Sequence, residues 1–479
     1  MASHDSTHIA QNPIRVVQNK KYVRDGAKSY LHLMRKYNFN PTLESKYFHS
    51  GVLKQQGKFA PGVGGKATIV QRLKKKTGPG ENDVSLVDTE DVQNDALWLS
   101  EVSIGTPPKK FLLDFDTSSA DCWVWSTHLP DDTLKKASGK SVFDPDQSSS
   151  YKAKDGYTWN IHYGDGSSAS GTVGTDYMTF GGLTIESQAI ELANNLSDSF
   201  QQGQGDGLLG LAFSNINTCS PDSVLTPVDM LIQQANIPAS AELFTCKLGS
   251  WRDKYDEPDH GESFYTFGYI HQPTLDYCGA TVSSIDWAKI DSSKGFWQFK
   301  SSSISINGKT KKRPSSNISI ADTGTTLVLL DDASCDAIYK TIPGAQYIAE
   351  LPGYIYPASV TESQLPVVKI DVGGKSFAIQ KEDLGFADVG QGYVFGGIQS
   401  RGTLPLDILG GTFLKGQYAI FDAGKKRLGL VPRPEVKQNL ATPVDGVNSS
   451  SEDEAPVPKH RFLSSLIEKN KTVERQAEL

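Results

Sequence analysis

The chain has 479 residues, a formal net charge of −7 at pH 7, and 44 glycines and 18 tyrosines. This composition favours a β-rich protein with many turns, and its acidic balance argues against a nucleic-acid-binding surface. No apolar run approaches the ~18 residues that a membrane span needs, so we expect no transmembrane segment.

Residues 1–84 are basic and precede an acidic body. Within them, Leu31, Leu33, Met34 and Tyr37 recur at the spacing of one helix face, which by itself predicts a small surface helix. The beginning of the chain shows no apolar stretch of the kind that a secretory signal carries. We therefore interpret residues 1–84 as a segment distinct from the body of the protein.

An apolar strand over residues 111–115 leads directly into Asp116, Thr117 and a group of small residues. Taken alone, an acid at the end of a strand most often belongs to a solvated turn. The same pattern occurs a second time, where β-branched and apolar residues lead into Asp322 and Thr323. The repetition indicates two matching turns that serve a common site.

Each copy is followed, at a similar separation, by two apolar residues and a glycine, which is Gly210 in the first case and Gly410 in the second. The repeat is far longer than the roughly 20 to 50 residues of a solenoid unit, so it indicates a duplicated lobe. Two lobes related by a pseudo-twofold axis would bring both Asp-Thr turns to one interface.

From about residue 97 to residue 432 the chain resembles the pepsin-like aspartic proteases, and most closely their fungal, penicillopepsin- and aspergillopepsin-like branch. The resemblance rests on the two Asp-Thr turns, the two apolar-glycine segments, a glycine-rich hairpin over residues 163–171 and an apolar segment over residues 413–422. It implies a mainly β, bilobal pepsin-like fold, in which two pseudo-twofold-related lobes enclose a cleft.

The resemblance also implies a domain organisation. Residues 1–84 would be a basic prosegment, residues 85–275 the N-terminal lobe and residues 276–433 the C-terminal lobe. Residues 434–479 lie outside the family pattern, and their acidic and proline-containing composition predicts a disordered tail.

Two acids in such turns have a chemical rationale. Two carboxylates held within hydrogen-bonding distance do not both ionise readily, so the pair keeps one shared proton. The ionised member can draw a proton from a water while the protonated member hydrogen-bonds the carbonyl oxygen of a peptide. Asp116 and Asp322 are therefore the predicted catalytic pair of an endopeptidase that cleaves proteins or peptides at acidic pH.

The resemblance assigns roles to four hydroxyl side chains beside these acids. Thr117 and Thr323 would link the two turns, while Ser119 and Thr325 would hydrogen-bond the carboxylates. Ordinary turn capping is the simpler role for the same hydroxyls, and the two roles are compatible.

The hairpin over residues 163–171 resembles the flap that covers the cleft in this family. Tyr163 and Gly164 would contact substrate, and Trp123 would hydrogen-bond the tyrosine, although a plain core role also fits this tryptophan. Asp165 resembles the flap acid of fungal members that accept lysine, as well as large hydrophobic residues, before the scissile bond. Its alternative role is to stabilise the hairpin turn.

Lys36 and Tyr37 resemble the Lys-Tyr element of the family's prosegments. In that element the lysine ammonium lies between the catalytic carboxylates until acid protonates them, which makes a pH switch from ordinary charge pairing. Further along, the basic run at residues 74–76 precedes a glycine-proline stretch and predicts an exposed processing loop, with a merely solvated charge run as the alternative.

Ser118 departs from the family pattern, because the family has glycine at this place in the first turn. A side chain there would crowd the cleft. The alternative function is therefore a catalytically impaired, protease-like protein that binds peptides without cleaving them.

Cysteine usage bears on the compartment. Ala358 and Val394 stand where the resemblance predicts the cysteines of a second-lobe disulfide, and five cysteines remain elsewhere. With no visible signal, an intracellular, reducing compartment stays open beside the secreted or vacuolar one that the resemblance implies. Four Asn-x-Ser/Thr acceptors point the other way, at Asn195, Asn317, Asn448 and Asn470.

No motif predicts a metal or a cofactor. The nine histidines include no His-Glu-x-x-His pattern, and the chain has no phosphate-binding glycine-rich loop. We expect a monomer that acts on peptide substrates, with no cofactor, no metal and no nucleic-acid partner.

Overall fold

The computed structural model describes residues 13–18, 25–43, 98–162, 168–202, 205–250, 263–349, 351–434 and 438–440. These residues form mostly strands, with few and short helices. The arrangement confirms the expectation of a mainly β, bilobal fold.

The first part of the chain contributes most of the largest sheet. Its elements are, in order, β1 (Ile14–Gln18), α1 (Gly26–Lys36), β2 (Trp98–Ile104), β3 (Lys109–Asp116), β4 (Cys122–Val124), α2 (Asp131–Leu134), β5 (Lys152–His162), β6 (Ser168–Phe180), β7 (Leu183–Leu196), α3 (Asp198–Gln202), β8 (Gly207–Gly210), α4 (Pro227–Gln233), β9 (Leu243–Lys247), β10 (Phe264–Phe267) and α5 (Gln272–Tyr277).

The second part of the chain forms three smaller sheets and returns to the first. Its elements are, in order, β11 (Asp286–Lys289), β12 (Gln298–Lys300), β13 (Ser303–Ile306), β14 (Lys309–Lys312), β15 (Ile318–Ala321), β16 (Val328–Leu330), α6 (Asp332–Tyr339), β17 (Gln346–Ile348), β18 (Gly353–Pro357), β19 (Val368–Val372), β20 (Lys375–Ala378), β21 (Gly385–Gly390), β22 (Tyr393–Gly396), β23 (Ile398–Ser400), β24 (Asp407–Leu409), α7 (Gly411–Leu414), β25 (Gln417–Asp422) and β26 (Arg427–Pro432).

The large sheet has 13 strands in the order β11-β26-β25-β9-β10-β1-β2-β3-β8-β4-β7-β6-β5. The smaller sheets have the orders β12-β15-β24-β16-β23, β14-β13-β19-β20 and β17-β18-β22-β21. Strands from the end of the chain thus join those of the first half in one sheet. The predicted lobe boundary after residue 275 falls inside α5, and the predicted domain limits stay predictions.

The two halves contain the same four-strand arrangement. In the first half β3 pairs in parallel with β8, β8 pairs antiparallel with β4, and β4 pairs in parallel with β7. In the second half β15, β24, β16 and β23 repeat these three pairings with the same directions. The duplicated sequence pattern therefore corresponds to a duplicated structural unit, with one acid at the end of each first strand.

Gly210 and Gly410 occupy matching positions in the two units. A Cβ atom at Gly210 would lie 2.6 Å from the carbonyl oxygen of Ser119, and one at Gly410 would lie 2.3 Å from that of Thr325. Both glycines are required because the backbone of the acid-bearing turn passes too close for a side chain.

The core under the first turn is aromatic. Phe115 packs against Tyr265 with ring centroids 5.1 Å apart, and Phe244 stacks on Phe421 at 4.7 Å. The Tyr265 hydroxyl donates to the carbonyl oxygen of Phe115 at 3.2 Å. This rigid packing supports the residue that directly precedes Asp116.

Helix α1 is buried against the second half of the chain, which corrects the expectation of a small surface helix. It begins after Asp25, whose carboxylate accepts a hydrogen bond from the backbone N–H of Lys28 at 3.0 Å. Its apolar face, with Tyr30 and Leu33, packs on β18, β21 and β22. The helical spacing of these residues was predictable, but not the sheet that covers them.

Two of the possible glycosylation sites differ in their exposure. Asn195 is exposed, whereas Asn317 is buried and donates through Nδ2 to the Ser301 carbonyl oxygen at 2.9 Å and to Asp407 at 2.8 Å. A glycan on Asn317 would remove these bonds, so of the two acceptors that the structure describes, Asn195 is the one that suits modification in the folded protein. The other two acceptors lie outside the described residues.

No disulfide joins any of the five cysteines, all of which lie within the described residues. Ala358 and Val394 lie near each other, because Val394 pairs with Tyr356 and the Ala358 N–H donates to the Gly392 carbonyl oxygen at 2.7 Å. Among the described residues, no helix combines the length and apolar character needed to cross a membrane. The same residues contain no group of three or more potential protein ligands arranged to hold a metal ion.

Candidate active site

Alternation along β3 directs Asp116 away from the core. Phe111, Leu113 and Phe115 are buried on one face of the strand, so Asp116, at its end, emerges on the other face. In the second half, Asp322 directly follows β15 in the equivalent position. The strand register thus places each acid at the start of a turn.

Two threonines tie these turns together. The backbone N–H of Thr117 donates to Thr323 Oγ1 at 3.1 Å, and the N–H of Thr323 donates to Thr117 Oγ1 at 3.0 Å. Thr117 Oγ1 in turn donates to the Ala321 carbonyl oxygen at 2.9 Å, and Thr323 Oγ1 donates to that of Phe115 at 2.7 Å. This reciprocal set of bonds fixes the distance between the strands that carry the acids.

The two acids converge on a single cation. Lys36 Nζ lies 3.3 Å from Asp116 Oδ2 and 3.5 Å from Asp322 Oδ2, and it donates to the Gly324 carbonyl oxygen at 2.9 Å. The side chains of Asp116 and Asp322 are 3% and 0% exposed. Both carboxylates therefore face the same point, which a water-sized group could occupy.

Asp116 accepts hydrogen bonds at both oxygens. Ser119 Oγ donates to Oδ2, as the resemblance implies. Ser118 donates to Oδ1 twice, from its backbone N–H at 2.8 Å and from its hydroxyl at 2.7 Å. Sequence reasoning treated Ser118 only as an obstruction and missed the hydroxyl bond. The backbone bond alone was foreseeable, because an aspartate often accepts from the N–H two residues further on.

Asp322 has a different set of donors. The Gly324 N–H donates to Oδ1 at 2.9 Å, and the Tyr37 hydroxyl donates to Oδ2. Thr325 also hydrogen-bonds this carboxylate, and its Oγ1 lies 3.3 Å from the Tyr37 hydroxyl. Part of the environment of Asp322 thus comes from the segment that contains α1.

These environments move the two pKa values apart. Burial on its own would raise the pKa of Asp116, but the Lys36 ammonium and the hydroxyls of Ser119 and Ser118 lower it to about 2. Burial raises the pKa of Asp322. The Lys36 ammonium acts against this rise, whereas the like charge of Asp116 adds to it. In this state Asp116 is the ionised member and Asp322 retains a proton more readily.

Lys36 and Tyr37 lie directly beside both acids. Tyr37 is buried, and burial together with the Asp322 charge raises the pKa of its phenol, so the hydroxyl remains a donor. Lys36 is the last residue of α1, and the helix brings both side chains to the acids. The two side chains therefore fill the space next to both carboxylates.

The predicted flap residues Tyr163, Gly164 and Asp165 lie outside the described residues. Trp123 is buried and stacks on Trp159 with ring centroids 6.0 Å apart. Its Nε1 has no hydrogen-bond partner among the residues that the structure describes. The bond from Trp123 to the flap tyrosine therefore stays a prediction.

Comparisons with known proteins agree on one family. A family model described as eukaryotic aspartyl protease matches residues 97–433. Aspergillopepsin-1 of Aspergillus pseudoglaucus is 40% identical over 344 residues, which cover 72% of this chain and 80% of that protein. Penicillopepsin-3 of Penicillium janthinellum is 38% identical over 349 residues, which cover 72% of this chain and 81% of that protein. Both acid-bearing turns lie inside the matched range.

Proposed function

Because the chain belongs to the eukaryotic aspartyl protease family and is an aspartic endopeptidase, we propose that Asp116 and Asp322 are its two catalytic acids. The observation that carries the proposal is the position of Lys36 Nζ, at 3.3 and 3.5 Å from oxygens of both carboxylates. Once the lysine has left, a water can take this place, within hydrogen-bonding reach of both acids.

The proposed reaction uses one ionised and one protonated acid. Asp116 takes a proton from the water, whose oxygen attacks the peptide carbonyl carbon, while Asp322 gives its proton to the carbonyl oxygen. The tetrahedral intermediate then collapses, the C–N bond breaks, and the proton on Asp116 passes to the departing nitrogen. A hydroxyl proton of the intermediate returns to Asp322, so the pair is restored without a covalent enzyme intermediate.

The supporting residues have roles that follow from their contacts. Thr117 and Thr323 hold the two turns at a fixed separation, and Ser119 and Thr325 orient the carboxylates. Such preorganisation matters because the reacting groups must be aligned before the chemistry begins.

We also propose that residues 1–84 form a prosegment that keeps the precursor latent. Support comes from Lys36 and Tyr37, which contact the acids, and from the burial of α1 against the second half of the chain. Protonation of the acids would remove the partners of the lysine and release the segment. We propose a monomer without a nucleic-acid partner, in line with the net charge of −7.

The proposal is tested by incubating the protein at acidic pH with a denatured protein, with and without a statine-type transition-state analogue. We expect acid-dependent cleavage that the analogue blocks. Asp116→Asn and Asp322→Asn should each lower the rate by on the order of 10²–10⁴-fold or more, because each destroys the shared-proton pair. Asp131→Asn, at an exposed acid, is the matched control and should retain activity.

Losses of only a few-fold in both Asn variants would contradict the assignment of the two acids. The alternative function, a peptide-binding protein without catalysis, predicts that the analogue binds the wild type while no product forms. Ser118 is the residue that suggested this alternative, and its hydroxyl donates a hydrogen bond to Asp116.

Two preferences are proposed for the substrate. Large hydrophobic residues should flank the cut bond, since sites beside a buried acid pair are mostly apolar. Asp165 should in addition favour lysine before the cut bond, because a carboxylate at the rim can pair with an ammonium whose carbon stem lies on the apolar wall.

Two peptides that differ only in lysine or norleucine before the cut bond test the role of Asp165. We expect Asp165→Ser to lose lysine cleavage selectively and to retain norleucine cleavage. If the variant keeps its lysine cleavage at a pH where Asp165 is ionised, the flap acid does not select the substrate.

A further inference from the structure

The Ser118 hydroxyl is buried against the proposed catalytic base. Ser118 is 3% exposed, and its Oγ donates to Asp116 Oδ1 at 2.7 Å. The backbone N–H of the same residue donates to the same oxygen at 2.8 Å. With Ser119 on Oδ2, the Asp116 carboxylate has hydroxyl donors at both oxygens.

The second turn has no counterpart of this hydroxyl. The Gly324 N–H donates to Asp322 Oδ1 at 2.9 Å and thus matches the Ser118 N–H. A Cβ atom at Gly324 would lie 2.5 Å from both Cγ and Oδ1 of Asp116, so no side chain fits there. The added donor therefore serves Asp116 alone and makes the two acids unequal.

Charged and titratable groups face Asp116 from three directions. Lys36 approaches from α1, Asp322 lies in the opposite turn, and Asp114 precedes Asp116 on the same strand. Tyr37 bonds to Asp322 rather than to Asp116. When the prosegment leaves, Asp116 loses the cation but keeps the two neighbouring carboxyl groups of Asp114 and Asp322, so its remaining hydrogen-bond donors then matter most.

We propose that Ser118 is a positioning residue that keeps Asp116 the ionised member of the pair and leaves the shared proton on Asp322. The inference rests on the proposed function and deepens it, because it assigns the base and acid roles within the pair. A hydroxyl bond to an ionised carboxylate stabilises the ionised form, whereas it offers less to the protonated form.

Ser118→Ala and Ser118→Gly separate a hydroxyl effect from a steric effect. Both variants remove the hydroxyl and keep the backbone donor, but only alanine keeps the Cβ atom. The measurement is the pH profile of kcat/KM for the self-processed enzyme. We expect the acidic limb to shift to higher pH by about half a unit or more in both variants, because Asp116 protonates more readily without its donor.

Ser119→Ala is the comparison variant, since it removes the donor from the other oxygen and should shift the acidic limb in the same direction. An acidic limb that stays in place for both Ser118 variants overturns the inference. The inference is also overturned if Ser118→Gly is faster than Ser118→Ala while the acidic limb stays in place, because that result is explained by steric crowding alone.

A readout that needs no turnover separates this inference from the proposed function. The Asp116 carboxyl carbon can be followed by NMR titration in aspartate-labelled protein, with Asp116→Asn to identify the signal. If the wild type does not cleave, the full chain stays intact in acid and the titration is performed on it. If the pKa of Asp116 is higher in both Ser118 variants than in the wild type, the inference is supported although the proposed function has failed. An unchanged pKa overturns the inference.

Discussion

Lys36 is ion-paired with both acids, so its contacts weaken when these acids are protonated. Burial is the largest single effect on the pKa of Asp116 and raises it, but the Lys36 ammonium and the serine donors together lower it below its usual value. A lowered carboxyl pKa means that the ion pair stabilises the docked state fully above the ordinary pKa of aspartate. That contribution is lost as the pH falls through the lowered value. We therefore expect the segment to be released between about pH 4 and about pH 2.

We predict that the full chain is latent near neutral pH and processes itself when the pH falls below about 4. Lys36→Ala should weaken latency, because both acids lose their cation while the rest of the segment stays docked. The measurement is cleavage of a quenched peptide by the full chain at pH 6 to 7, together with the rate of processing on acidification.

Lys28→Ala is the matched control for this variant, because the same residue type lies on the same helix, whereas the ion pairs with the two acids come from Lys36. It should leave latency unchanged. A Lys36→Ala precursor that is as latent as the wild type would remove Lys36 from the proposed inhibitory role.

At the scale of elements, α1 is attached by its apolar face rather than by its charge alone. Leu33 is 0% exposed and packs in a cluster with Phe395 and Ile408. The Tyr30 hydroxyl donates to the Ser400 carbonyl oxygen at 2.7 Å. These contacts are insensitive to pH, so acid must overcome them through the loss of the ion pairs.

Leu33→Ala should therefore loosen the helix at every pH. The cavity left by the truncated side chain costs about 2–5 kcal/mol of docking free energy, which raises the undocked population by orders of magnitude. We expect measurable cleavage by the precursor near neutral pH and faster proteolytic loss of the segment. The processed enzyme should be unaffected, because we expect processing to remove this residue.

Leu31→Ala is the control, since Leu31 is the same residue type on the same helix but only partly buried. It should produce a clearly smaller effect. Equal leakage from both variants would mean that general helix weakening, and not the buried contact of Leu33, sets the latency.

At the scale of the whole molecule, a second pair of buried acids links folding to pH. Asn217 Nδ2 donates to Asp121 Oδ1 at 3.1 Å and to Glu191 Oε1 at 2.9 Å. Among the described residues, no salt bridge reaches either carboxyl. Burial raises the pKa of Asp121 to about 7, and burial together with the charge of Asp121 raises the pKa of Glu191 well above its usual value.

Raised carboxyl pKa values mean that the folded state binds protons more tightly than the unfolded state. The stability that these protons provide is complete below the ordinary carboxyl pKa and is lost as the pH rises through the folded-state value of about 7 for Asp121. We predict that the melting temperature of the processed enzyme falls between about pH 4 and pH 7, by an amount that reflects a few kcal/mol of unfolding free energy.

Glu191→Gln should flatten this decline, because an amide of the same shape keeps the acceptor for Asn217 and removes one charge. Glu186→Gln makes the same change at an exposed position of β7 and serves as the control. Melting curves across the pH range measure the effect. An equally steep decline in Glu191→Gln would exclude this pair as its cause.

Much of the architecture was open to prediction from the sequence. The two Asp-Thr turns and the glycines that follow them indicated a duplicated unit, because close backbone approach and turn geometry constrain single residues wherever they occur in the chain. The helix that ends at Lys36, directly before Tyr37, was predicted from its apolar spacing for the same local reason. Substrate preference, domain limits and the flap residues Tyr163 and Asp165 remain predictions.

Other properties depended on which surfaces meet. The burial of α1 could not be inferred from its own residues, since a stripe with Tyr30 and Leu33 does not specify the sheet that covers it. Nor could the sequence show that the Ser118 hydroxyl bonds to Asp116 while Gly324 has no room for a side chain. The sequence by itself determined which residue types stand in each turn. Only the tertiary structure decided which of them contact the same cation or accept from the same donor. These contacts join atoms that are distant in the chain, and a change of a few tenths of an ångström in a distance makes or breaks them.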